Sequence, residues 1–322
     1  GCGVVSSIKL DLLNATAHAR GSVGRVFHFD PGGGEQTPPG IIQARWSPLV
    51  SIKTWDDARM IATRMAAPFL DQEKQGGGSD GGHFMERARD WIEVVLYAAA
   101  LSNSPISVVA EWVQMPDSEE VTTEVDSALI YAASNGDQGA KIAIGQHNGL
   151  LKTPERERGS IKSSMVRLFR IYASVSARHI GTNPNFDPAQ FVRSSDTLYI
   201  TASPERQQEY APLIAGLLEE IRFATYQRHA AEEQGYEPRR PHVTFVLDEA
   251  NNTAPVPLPA IVSEAGGQSL HVVVGIQDLS RARARWGQAA DGFLTLFPTK
   301  VVLNGVVEPY TLDALSSAAG EY

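Results

Sequence analysis

Two textures of apolar and polar positions divide the chain. In its C-terminal half, short apolar runs rich in β-branched residues alternate with stretches whose apolar positions fall three and four residues apart. Thr197-Leu198-Tyr199-Ile200-Thr201-Ala202 and the run from Pro241 to Leu247 read as strands, with a long helix from Pro204 to about Ala230 between them. A helix over Leu258–Ala265, a strand over Leu270–Ile276 that ends at Gln277, and a helix from Leu279 to about Gly287 follow. The apolar runs Phe293–Phe297 and Lys300–Leu303 extend the alternation as further strands. Strands and helices at the spacing of right-handed crossovers predict a largely parallel sheet.

From Thr54 to about Ile180 the pattern is helical instead. Ala58–Leu70 and His83–Leu101 carry apolar residues at helical spacing, and Thr54 followed by Asp57 is an N-cap with an acid in the first turn. The glycines between Gly76 and Gly82 predict a loop between two helices. They do not form a phosphate-binding loop, because no strand precedes them and no lysine follows at the required spacing. Strands on both sides of a helical stretch imply an insertion, which divides the chain into an α/β core at 1–53, a helical domain at 54–180 and the second part of the core at 181–322.

Composition narrows the function classes. A chain of 322 residues, 43% hydrophobic and 20% charged, has the make-up of a globular protein with enough material for two cores. Its net charge of −9 excludes a uniformly basic nucleic-acid surface, so any contact with DNA has to come from local loops or from the channel of an oligomer. Cys2 is the single cysteine, which leaves no internal disulfide. No apolar run reaches the length of a membrane span. The eight histidines include no HExxH pattern, and no Gly-x-Ser-x-Gly elbow occurs.

The candidate chemistry sits at the end of the strand Pro241-His-Val-Thr-Phe-Val-Leu, which runs into Asp248-Glu249-Ala250. In open α/β sheets ligands bind beyond the carboxyl ends of the strands, where these acids project, and paired carboxylates after an apolar strand are the Walker B arrangement of ATPases. Asp248 is the candidate ligand of Mg²⁺ and Glu249 the residue that positions and deprotonates the attacking water. Gln277, at the tip of the neighbouring strand, can hydrogen-bond both that water and the γ-phosphate. Asp30, after Val26-Phe27-His28-Phe29, either touches nucleotide or caps an Asp-Pro turn. Lys162, Arg167 and Arg170 form a basic series that either contacts DNA or is a solvated helix face.

Several blocks in a fixed order carry a family resemblance. They are Val4 to Leu13, Gly24 to Pro31, Trp46-Ser47-Pro48-Leu49, Asp196 to Ile200, the Asp248-Glu249 strand, Leu258 to Gly287, Thr299 to Val302, and Leu315 to Gly320. Together they resemble the conjugative coupling ATPases of type IV secretion, the TraG/TraD group. The resemblance implies a RecA-like P-loop NTPase core with a mostly parallel sheet, interrupted by an all-α domain that engages DNA-processing proteins. It implies ATP and Mg²⁺ as cofactors, a ring-shaped homo-oligomer, a hexamer when full-length, and DNA, relaxase and relaxosome proteins and the secretion channel as partners. It also implies a position at the inner face of the cell membrane through an anchor upstream.

The chain departs from the family at two points. No Gly-Lys-Ser or Gly-Lys-Thr occurs, so it reads as an internal piece that binds ATP weakly and does not turn over by itself. Within Ser263 to Gln268 a glycine stands where many members place an arginine that reaches the neighbouring subunit, which leaves Arg281, Arg283 and Arg285 as substitutes or as a solvated face. The alternatives are a non-catalytic adaptor that recruits substrate and a DNA-pumping ATPase of the FtsK/HerA kind. An ABC-type ATPase is disfavoured because Glu264 to Gln268 follows the acidic pair, whereas the ABC signature precedes it.

Overall fold

The computed structural model describes residues 1–33, 36–76, 79–202 and 204–320. Among them, β1 (Gly3–Ser7), β2 (Val26–Phe29), β3 (Ile42–Gln43), β4 (Thr197–Thr201), β5 (Val243–Leu247) and β6 (Leu270–Val274) form one parallel sheet. Their order is β3-β2-β4-β1-β5-β6, which puts β1 between β4 and β5. Helix α1 (Asp11–Gly21) joins β1 to β2. Between β3 and β4 the chain runs through α2 (Trp55–Gly76), α3 (Ser79–Leu101), α4 (Ile106–Trp112), α5 (Glu119–Ser134), α6 (Gln138–Leu151), α7 (Glu155–Leu168), α8 (Val175–Ile180) and α9 (Pro188–Phe191). Helix α10 (Gln207–Glu233) leads to β5, α11 (Ala250–Thr253) and α12 (Leu258–Ala265) lead to β6, and α13 (Leu279–Trp286) and α14 (Pro309–Ala319) follow.

Burial explains why some strands read more plainly than others. All five residues of β4 are buried, as a strand covered on both faces requires, and its sequence is correspondingly apolar. At the end of the sheet order, β6 buries only Leu270 fully and leaves Val273 55% exposed. The start of α2 follows from its capping residues. Asp57 Oδ2 accepts from the Thr54 N–H at 2.8 Å while the Asp57 N–H donates back to Thr54 Oγ1 at 3.2 Å, so two backbone donors that the helix leaves free are satisfied reciprocally.

Helix α10 holds the helices and the sheet together. It is buried around most of its circumference from Tyr210 to Ile221, and a helix apolar on all sides belongs in an interior. Gly216 lets it approach the fully buried Trp46, since a Cβ there would stand 3.3 Å from the indole ring. Against α2, Arg64 pairs with Glu220 and lies 4.9 Å over the Phe223 ring, while Arg222 donates to Glu219 at 2.6 Å. Burial brings the Arg64 guanidinium down to about 10, with Glu219 opposing the shift.

Three expectations change, and one strand is new. The loop expected over Gly76–Gly82 is shorter, because α2 extends to Gly76 and α3 begins at Ser79; Gly77 and Gly78 lie outside the described residues. Phe293–Leu296 is a 3-10 turn whose Phe293 stacks on Trp286 at 5.4 Å, so its apolar side chain is buried without strand pairing. Lys300–Leu303 forms no strand either, and Val301 and Leu303 are 81% and 74% exposed. The two-residue β3 was not foreseen. It pairs only at Phe27↔Ile42 and His28↔Gln43, too few positions to establish a period along the sequence.

Candidate active site

The carboxyl ends of β1, β5 and β6 are stapled together by main-chain hydrogen bonds beyond the regular ladder. The Asp248 N–H donates to the Ser6 carbonyl at 2.9 Å, the Gly275 N–H to the Leu247 carbonyl at 2.9 Å, and the Ala250 N–H to the Gly275 carbonyl at 2.9 Å. Gly275 allows a close approach, because a Cβ there would lie 3.2 Å from Asp248 Oδ1 and press on that carboxylate. Glu249 adopts the left-handed region with φ 47°, an uncommon backbone for a side chain of this kind and a form of strain that concentrates at functional turns.

Side chains then fix the acidic pair. Ser7 Oγ donates to Asp248 Oδ2 at 3.3 Å, and Asn252 Nδ2 donates to Glu249 Oε2 at 3.3 Å. Thr253 Oγ1 donates to the Asp248 carbonyl at 2.6 Å, and Ser6 Oγ donates to the Thr253 carbonyl at 3.0 Å, which ties α11 back to β1. Both acids remain part-exposed, and Gln277 is exposed two residues beyond Gly275 at the same edge. The structure therefore brings Asp248, Glu249 and Gln277 to one edge of three adjacent strands.

It does not bring Asp30 there. Asp30 follows β2, which β4 and β1 separate from β5, so three strand spacings of about 4.8 Å put it roughly 14 Å away across the sheet. Its Oδ1 accepts from the Gly32 N–H at 2.8 Å, the hydrogen bond of an Asp-Pro turn. His28 is completely buried between Thr37 and Thr201, at 3.0 and 2.8 Å, and burial lowers its pKa.

The basic candidates are largely engaged within the fold. Arg158 and Lys162 both reach Asp117 at 3.0 Å, and Arg167 lies 4.5 Å over the Phe69 ring, while Arg170 is exposed. Arg281 faces its own helix cap, Asp278, at 3.4 Å, and Arg283 faces Asp291 at 3.2 Å. Burial lowers the pKa of Arg285, with Asp71 on α2 opposing the shift.

Ser7 and Asn252 are the residues that sequence reasoning missed. Hydroxyls at the exit of an apolar strand were the available signal for Ser7; Asn252 had none, because its role depends on how the turn after Glu249 folds. The donor set of Asp248 and Ser7 consists of oxygens, which fits a hard cation such as Mg²⁺. Among the described residues no group of three or more histidine, cysteine, aspartate or glutamate side chains forms a protein-only metal cage, and Mg²⁺ in nucleotide sites needs none, being held by one or two carboxylates and the phosphates.

A parallel sheet with a polar, acidic carboxyl edge, interrupted by a helical insertion, is a RecA-like α/β architecture. Residues 242–322 match the family model described as the TraM recognition site of TraD and TraG. The bacterial conjugative coupling protein TrwB in its unbound monoclinic form is similar in fold, with TM-score 0.55 at 14% identity over 92% of this chain and 67% of that one. TrwB bound to the GTP analogue GDPNP gives TM-score 0.56 at 14% identity, and TrwB bound to ADP and Mg²⁺ gives 0.54 at 14%, each over 92% of this chain and 68% of that one. No curated protein matches the chain.

Proposed function

We propose that the chain forms most of the cytoplasmic motor of a conjugative coupling protein, which uses ATP hydrolysis to pass DNA with its attached relaxase into a type IV secretion channel. The observation that carries this reading is the Asp248-Glu249 turn, stapled to β1 and β6 with Ser7 on one side and Gln277 on the same edge. In this reading residues 1–53 and 181–322 make up the motor core and 54–180 the domain that recruits substrate. The family's recognition of a TraM protein and the nucleotide and Mg²⁺ held by TrwB support it.

Each residue has its own task. Asp248, oriented by Ser7, would hold Mg²⁺, which when bound neutralises charge on the phosphate oxygens. Glu249 accepts the proton of the attacking water. The Gln277 amide orients that water and donates to the phosphate oxygen on which charge develops. Subunits assemble as a ring, a hexamer, that works at the inner face of the membrane. No helix among the described residues is long and apolar enough to cross a membrane.

The test is Glu249→Gln in the coupling protein, assayed for Mg²⁺-dependent ATP hydrolysis and for conjugative transfer between cells. Loss of both with normal protein levels supports the motor. Transfer at the wild-type frequency would overturn it in favour of recruitment without hydrolysis.

A further inference from the structure

Two asparagines follow the acidic pair almost at once, and their side chains join Glu249 in one line of hydrogen bonds. Asn251 Nδ2 donates to Asn252 Oδ1 at 3.0 Å, and Asn252 Nδ2 donates to Glu249 Oε2 at 3.3 Å. The direction of that line is set at its charged end. A carboxylate only accepts, so Asn252 has to turn its NH₂ toward Glu249; its carbonyl oxygen then faces Asn251, which has to answer with an NH₂ of its own. This leaves Asn251 Oδ1 buried and without a hydrogen bond among the described residues. Turning the Asn251 amide over would not serve, because two carbonyl oxygens would then meet. A buried acceptor left open costs stability, and it persists here because the line beyond it runs to the acid.

The main chain fixes the two ends of the line relative to each other. Glu249 stands at φ 47°, and its carbonyl accepts from the Asn252 N–H at 2.7 Å and from the Thr253 N–H at 3.1 Å. Ala250 between them is completely buried, and its N–H is held by the Gly275 carbonyl at 2.9 Å. Both asparagines lie on α11, so the turn that strains Glu249 also brings them to it. Asn252 occupies Oε2, while Oε1 accepts no hydrogen bond from the described residues.

We propose that Asn252 is a positioning residue for Glu249, holding Oε2 so that Oε1 faces the attacking water and takes its proton, and that Asn251 fixes the direction in which the Asn252 amide points. The proposal rests on the reading of Glu249 as the base given above. The terminal torsion of a glutamate is broad, so a free carboxylate presents either oxygen over a wide range of angles. A hydrogen bond to one oxygen removes that freedom before the substrate arrives. Neither asparagine has to touch nucleotide, so their effect falls on turnover and not on binding.

The test uses Asn252→Ala, Asn251→Ala and Asn251→Asp in the coupling protein, with kcat from steady-state ATP hydrolysis and affinity from titration with a non-hydrolysable ATP analogue. Asn252→Ala lowers kcat about tenfold or more, the effect of losing a hydrogen bond to a charged group, with analogue affinity within about twofold of wild type. Asn251→Asp keeps the size of the side chain but offers only acceptors, so the Asn252 amide turns over and presents Oδ1 to Glu249. Its kcat falls as far as that of Asn252→Ala. Asn251→Ala removes the neighbour without reversing the amide and loses less. A kcat within about twofold of wild type in Asn252→Ala, equal losses of kcat and analogue affinity, or Asn251→Asp no slower than Asn251→Ala would overturn the proposal, the pair then merely filling the turn. Hydrolysis lost in Glu249→Gln but unchanged in Asn252→Ala and Asn251→Asp removes the relay and leaves the motor standing, whereas hydrolysis intact in Glu249→Gln removes both.

Discussion

The molecule carries two clusters of charge that differ in how they are held. At the joint between α2 and α10, Arg64 and Glu220 are 7% and 8% exposed, and Arg222 closes on Glu219 at 2.6 Å. At the carboxyl edge of the sheet, Asp248 and Glu249 are part-exposed, and each receives a single side-chain hydrogen bond at 3.3 Å. The first arrangement leaves little coordination to offer; the second leaves oxygens open toward solvent on a backbone that is tightly pinned. Charges that build the fold are thus enclosed by their partners, whereas charges available for chemistry are held from one side only.

This contrast can be broken by exchanging the effects of substitution. Glu249→Gln should lower hydrolysis by the factor of about 10² to 10⁴ that a general base contributes, with Tm unchanged, as steady-state kinetics and thermal unfolding will show. Arg64→Ala should do the opposite. It leaves Glu220 buried without its cation and should cost about 3–5 kcal/mol in denaturant unfolding, the range for one partner removed from a buried pair. A Tm shift in Glu249→Gln as large as that in Arg64→Ala would erase the distinction.

Gln277→Ala sharpens it within the site. Removing a donor aimed at developing charge should reduce kcat by about a hundredfold while nucleotide binding survives, and a kcat within about twofold of wild type would return Gln277 to a role as a strand cap. The smallest effect concerns pH. Burial lowers the His28 pKa from 6.5 in the folded chain, so below about pH 6.5 the unfolded state takes up the proton first and stability falls as pH drops. A urea-unfolding series from pH 7.5 to pH 5, with and without His28→Gln, measures this contribution as the difference between the two slopes.

Much of the site was legible because it lies on one short segment. An apolar run ending in Asp248-Glu249 announces both its strand and a turn of paired carboxylates, and the place of Gln277 follows from the next strand's end. What was hidden depends on which strands become neighbours. Ser7 is 241 residues from Asp248 and meets it only because β1 inserts between β4 and β5. The same order separates Asp30 from the acids and leaves it the Asp-Pro turn cap that was the other reading of its sequence. Val301-Val302-Leu303 has strand composition without strand structure, because pairing requires a neighbouring edge and composition alone does not supply one.

The 27 residues of α10 make a rod about 40 Å long, roughly twice the length of the strands it covers. Its first turns sit under the loop after β2, where a Cβ at Gly32 would collide with the Tyr210 hydroxyl at 2.1 Å. Its far end is bound to the chain just before β4 and just before β5, through Arg228 to the Val192 and Pro241 carbonyls at 2.5 and 3.3 Å. Between those ends, α2 grips it through Arg64. The rod is therefore a beam held at both ends and at midspan, tying the carboxyl edge of the sheet, the helices and the edge where the strands begin into one frame.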